Sequence, residues 1–94
     1  RDVPDIYYSI FKGRALANMK VGNYKEAVTD CNWTIFLRPD NGEGYYLRSI
    51  ANINMKDFNA VCDDSRRARQ LGYAQAAEIS RRYCRVSQII PASN

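Results

Sequence analysis

Toward the C-terminal end of the chain, Ala76, Ile79, Tyr83, Val86 and Ile90 step by three and four residues, which places them on one stripe of an α-helix. Capping and breaking residues divide the preceding sequence into four more helical segments. The first is expected from about Val3 to Val21, with Pro4 in its first turn and Asp2 and Asp5 at the positive end of its dipole. Gly22 ends it, because glycine accepts the left-handed backbone that closes a helix. Asn23 reads as the N-cap of the second helix, with Glu26 completing a capping box, and Pro39 stops that helix at about Arg38. The run Asp40-Asn41-Gly42-Glu43 opens a third helix that reaches about Met55. Asp57 caps a fourth, which ends near Leu71-Gly72. Lys56 sits in the turn between the third and fourth, where a side chain meets strain that glycine avoids. The fifth helix is expected over about residues 74–88, burying Ile79 and Tyr83 against the fourth, and residues 91–94 read as a flexible tail. The fold class that follows is all-α.

Shifting the sequence against itself by 34 positions aligns Arg14 with Arg48, Ala17 with Ala51, Asn18 with Asn52, Asp30 with Asp64 and Leu37 with Leu71. Similar residues fill the gaps, among them Phe11 with Tyr45, Leu16 with Ile50, Met19 with Ile53 and Tyr24 with Phe58. A fixed period of this length marks a helical repeat architecture. The chain therefore divides into two helix–turn–helix units, at about residues 8–41 and 42–75, with the fifth helix as a cap, in one domain over residues 1–90.

Hairpin geometry then predicts pairings. Arg14 and Asp30 are equidistant from Gly22, and Arg48 and Asp64 from Lys56, so each pair lies level on adjacent antiparallel helices as one ion pair used twice. Cys62 and Cys84 are equidistant from Tyr73, at the turn into the fifth helix, which predicts a disulfide between cap and repeat. The alternative is that all three cysteines are small apolar core residues of a reduced protein. Cys31 has no counterpart and is expected to be a buried free thiol.

Composition narrows the chemistry. The hydrophobic fraction is 46% and the charged fraction 26%, values of a folded domain rather than a disordered segment. No apolar run approaches a membrane span. The net charge of +4 is unevenly placed: residues 1–64 carry 8 basic and 9 acidic side chains, and residues 65–94 carry six arginines against Glu78. The basic end reads as a solvated helix face; a nucleic-acid or acidic partner is the competing reading, weakened by the lack of an aromatic stripe among these arginines. With no histidine, no Ser–His or Cys–His pair is available, and with three cysteines and no C-x-x-C, zinc ligation would need a fourth ligand from elsewhere. Asp63 and Asp64 are consecutive on a helix and diverge, so they do not share a proton. No catalytic role, cofactor or metal is expected. The start at Arg1 reads as a piece of a longer protein or a processed form.

The residues from Phe11 through Ala15, Gly22, Tyr24, Ala27 and Thr34 to Pro39 resemble the tetratricopeptide repeat, and the second unit fits with Tyr45, Ser49, Phe58, Val61 and Ala68. It departs at Lys56, where glycine is usual, and at Tyr73, where proline is usual. The stretch Ala60-Val61-Cys62-Asp63-Asp64 with Ala68, Leu71-Gly72, Ala76 and Tyr83-Cys84 is similar to the closing repeat and capping helix of bacterial envelope proteins of this type. A nucleic-acid-reading helical repeat of nearby length fits Gly22 and Pro39 less well.

The resemblance implies a right-handed superhelix of hairpins whose first helices line a concave groove. The groove positions fall on Ser9, Lys12, Leu16, Met19 and Lys20, and on Glu43, Tyr46, Ile50, Ile53 and Asn54. Such a surface would take a protein or peptide with apolar anchors and some negative charge, unless the fifth helix or other domains of the parent chain fill it. The family's clamp for acidic chaperone C-termini needs asparagines where this chain has Leu16 and Leu47, so only Lys12 matches it. Trp33 and Phe36 fall on positions that face outward in the family and are candidates for an outer interface, or for burial under an N-terminal segment or neighbouring helix. A small-molecule substrate is not implied. The expected setting is the periplasm or cell envelope if the disulfide forms, with the cytoplasm as the alternative.

Overall fold

Three turn residues set the architecture. In the computed structural model, which describes the backbone of residues 4–92 and the side chains of residues 4–84, Gly22, Lys56 and Gly72 have positive φ of 87°, 62° and 92°. Each closes one helix and sends the chain into the next. The helices among the described residues are α1 (Asp5–Lys20), α2 (Tyr24–Leu37), α3 (Gly42–Asn54), α4 (Phe58–Gln70) and α5 (Ala76–Ala92), with no strand. α1 packs on α2 and α3 on α4 as hairpins; α3 also lies against α2, and α5 against α4. The result is an all-α helical-hairpin repeat with a closing helix, 48 × 28 × 19 Å.

The turns close by the same hydrogen bonds. Asn23 N–H donates to Asn18 O (2.8 Å), Asp57 N–H to Asn52 O (3.0 Å) and Tyr73 N–H to Ala68 O (2.9 Å), the wide loop that left-handed helix ends favour. Lys56 takes this backbone with a Cβ, which the left-handed region disfavours. Lys56→Gly is therefore expected to raise stability by about 0.5–1 kcal/mol, read as a higher urea midpoint at unchanged slope.

The caps differ from expectation at one end. Asn41 accepts from Glu43 N–H (2.9 Å) and Asp57 from Ala60 N–H (3.3 Å), but Asn23 makes no side-chain cap, so the Asn23–Glu26 capping box does not form. Asn23 and Asp57 share nearly the same backbone (φ/ψ −87/69 and −94/79). The carboxylate gains from the positive helix end across a long contact, and the neutral amide gains less.

The repeat is visible in what is buried. Ala15 and Ser49, Ala27 and Val61, Asp30 and Asp64, Cys31 and Ser65, Thr34 and Ala68, and Gly42 and Ala76 are all buried, each pair 34 residues apart. These residues are small, which lets the hairpins approach closely. Leu47 adds bulk where α3 meets repeat 1, packing with Ala15 and Cys31.

α5 departs from its expected stripe. Its buried line is Ala76, Ser80 and Cys84, while Ile79 and Tyr83 are only half-buried. α4 offers the small buried residues Cys62, Ser65 and Ala68, so α5 meets it with its own small residues and carries the larger ones on the flank. Ser80 Oγ donates to Ser65 Oγ (3.0 Å), and Tyr83 stacks on Phe58 at 5.5 Å between centroids. The helix continues through Pro91 to Ala92, which replaces the expected loose tail at those two residues. The side chains of Arg85, Val86 and Ile90, with residues 1–3, 93 and 94, lie outside the described residues.

Candidate partner-binding surfaces

Both expected ion pairs are present, and they are unequal. Arg48 grips Asp64 with two bonds, Nε to Oδ2 (2.9 Å) and Nη2 to Oδ1 (2.7 Å). Its Nη1 donates to Asn32 Oδ1 (2.7 Å) on α2, which links the two repeats. The contact with Asp64 holds the Arg48 guanidinium protonated above its already high range. In repeat 1, Arg14 Nη2 reaches Asp30 Oδ1 at 3.3 Å and its side chain is 62% exposed, against 26% for Arg48. The sequence reading missed two further partners in each unit. Asn18 donates to Asp30 (2.9 Å) and Asn52 to Asp64 (3.4 Å), while Arg14 lies over Phe11 and Arg48 over Tyr45, both at 5.5 Å. The signal was in the shift by 34, which aligns Asn18 with Asn52 and Phe11 with Tyr45. The aromatic, Arg, Asn and Asp form one unit that fastens each hairpin, so Asp30 and Asp64 are engaged in structure.

The groove positions divide into occupied and open. Lys12 Nζ lies 3.4 Å from both carboxylate oxygens of Glu43, and Tyr8 Oη donates to Glu43 Oε1 (2.8 Å). Burial and this hydrogen bond raise the Tyr8 phenol well above its ordinary range. One end of the groove is thus bridged from α1 to α3 by Lys12 and Tyr8 with Glu43. Tyr46 packs on Tyr73 at 4.8 Å, and Asn54 Nδ2 donates to Ile50 O (3.1 Å) in its own helix. Ser9 is exposed. Leu16, 47% exposed, forms an open depression with Ala17, Met19 and Lys20, and Ile50 and Ile53 are half-buried on α3. Among the described residues α5 packs on α4. Leu47 is buried in the core, away from any role as a clamp residue.

The outer face carries aromatics. Trp33 and Phe36 are both exposed and meet edge to face at 5.8 Å, and Trp33 stacks on Phe11 of α1 at 5.7 Å. At the basic end, Arg81 and Arg82 both reach Glu78, and the hydrogen bond from Arg81 holds that carboxyl below its ordinary range. Arg67 lies over Tyr45 at 5.9 Å and donates to Gln70 (3.2 Å).

Cys62 and Cys84 are joined by a disulfide, with Cα atoms 5.1 Å apart. Cys31 is free and buried, and burial pushes its thiol up to about 12. Among the described residues no group of three His, Cys, Asp or Glu is placed to hold a metal ion, and no helix is long and apolar enough to cross a membrane.

The chain is 35% identical over 72 residues to the protein SGT1 homolog of Oryza sativa subsp. japonica, a match that covers 77% of this chain and 18% of that protein. No protein-family description and no solved structure matches the chain.

Proposed function

We propose that this chain is a non-catalytic protein-interaction module of the tetratricopeptide type, which binds a peptide or helix in the groove between α1 and α3. The observation that carries the reading is the open depression of exposed Leu16 and Lys20 with half-buried Met19 on α1, beside half-buried Ile50 and Ile53 on α3. The repeated burial pattern, the common turn closure and the 34-residue period support the family assignment. With Lys12 bonded to Glu43, the preferred ligand is more apolar than the groove sequence suggests, contacting cationic Lys20 alone at the open end. The bond between Cys62 and Cys84 supports an oxidising setting, periplasm or cell envelope, over the cytoplasm.

A second reading rests on the outer aromatic patch. Trp33, Phe36 and Phe11 form a contiguous apolar surface suited to packing within a larger protein, and a match covering 18% of a relative fits a module carried in a longer chain. Peptides selected from a random library on the immobilised chain discriminate the two. Leu16→Asp and Ile50→Asp are expected to abolish their binding with the helical circular dichroism unchanged. Trp33→Ser is expected to leave it intact; the reverse pattern would move the site to the outer face. Binding that collapses steeply with salt would instead mark a polyanion partner at the arginine-rich end.

A further inference from the structure

We infer that Asn32 is an acceptor for an asparagine-linked glycan. Asn32-Trp33-Thr34 has the acceptor pattern, an asparagine with a hydroxyl residue two positions on and no proline between. None of the other asparagines has serine or threonine at that distance. The inference rests on the oxidising setting proposed above, because such glycans are added to exported chains, and it is independent of the groove.

The folded chain has room for the modification. Asn32 is exposed on α2, and its Oδ1 accepts from Arg48 Nη1 at 2.7 Å. Arginine only donates, so the amide oxygen faces the guanidinium and Nδ2 is turned away from it. Among the described residues Nδ2 donates to no acceptor. A sugar on Nδ2 therefore leaves the link between the repeats in place. Beside Asn32 an open depression between α2, α3 and α4 is lined by Asn52, Asp57 and Asp63, with Val28 and Met55. Asp57 and Asp63 are exposed, and their carboxylate oxygens can accept from sugar hydroxyls, while Val28 and Met55 offer apolar surface to the C–H face of the ring. Parts of both repeats wall this depression, so its exposure does not depend on either end of the chain.

Transfer precedes folding. Thr34 is 1% exposed and its Oγ1 donates to Asp30 O (2.9 Å), so its hydroxyl is open to a transferase only before α2 forms and packs. The donor is an oligosaccharide carried on a polyprenyl diphosphate. Nδ2 attacks C1 of the first sugar, and the C1–N bond forms as the C1–O bond to the diphosphate breaks. The lipid diphosphate leaves with the electron pair, and one amide proton passes to a base of the transferase. Nothing is oxidised or reduced.

Secretion of the 94-residue chain from cultured eukaryotic cells, behind a cleavable export signal, tests this. The intact mass should exceed 10.8 kDa by one glycan, and peptide N-glycosidase should remove the excess. Asn32→Gln, which keeps an amide oxygen for Arg48, should lose the glycan completely. Thr34→Ala should lose it with Asn32 in place, whereas Thr34→Ser should keep it. The glycosylated chain should retain the helical circular dichroism of the unmodified one. Thiol titration of the secreted chain separates failure of the proposal from failure of its setting. One free thiol, that of Cys31, with no glycan would overturn the proposal. So would a glycan that survives Asn32→Gln, or one that abolishes the helical signal. A glycosylated chain with all three thiols free would remove the oxidising setting while the acceptor site stands.

Discussion

Cys84→Ala is expected to lower the unfolding free energy by about 3 kcal/mol, the loop-entropy value for a cross-link closing a span of this size. The sequence separation is 22 residues, and the bond lies where α5 meets α4. That interface is built from small residues, Ala76 and Ser80 against Ser65 and Ala68, with one aromatic stack at its edge. Small side chains bury little apolar area, so the cross-link contributes a large share of the cap's attachment. A domain with two repeats has few interfaces to share the loss. Urea unfolding of wild type with and without reductant should show the same drop, and the variant should be insensitive to reductant. Equal midpoints for oxidised wild type and variant would show that the cross-link carries no stability.

Asp64→Ala is expected to cost about 2–3 kcal/mol, more than Asp30→Ala at about 1–2 kcal/mol. Both carboxylates are buried, at 5% and 2% exposure. They differ in what their removal strands. An asparagine loses its acceptor in either variant, Asn52 or Asn18, but without Asp64 Arg48 keeps one hydrogen bond, to Asn32, on a side chain that is three-quarters covered. Without Asp30, Arg14 turns into solvent, which it already largely faces. Parallel urea titrations of the two variants check the order. Equal losses would mean that stranding the covered Arg48 guanidinium costs no more than releasing Arg14 to solvent.

The parts legible in the sequence are those that repeat or break the chain. Gly22, Pro39, Gly72 and the shift by 34 fix helix boundaries because backbone conformation depends on a few residues with special φ. Level positions across a turn locate Arg14 with Asp30, Arg48 with Asp64 and Cys62 with Cys84, because hairpin geometry alone sets them. What was not legible depends on which face packs. The stripe Ala76, Ile79 and Tyr83 suggested an apolar contact, whereas the small residues of α4 select Ala76, Ser80 and Cys84. Lys12 reads as an open cation until α3 brings Glu43 across from 31 residues away. The amide partners Asn18 and Asn52 look like ordinary repeat matches until the buried carboxylates are seen to need a second donor.

The groove is the centre of this account, and amide chemical-shift mapping of the whole chain with a library-selected peptide tests it most directly. The largest shifts should fall on Leu16, Met19, Lys20, Ile50 and Ile53, with α2 and the outer aromatics little changed. Shifts centred on Trp33 and Phe36, with the α1–α3 face unmoved, would contradict it.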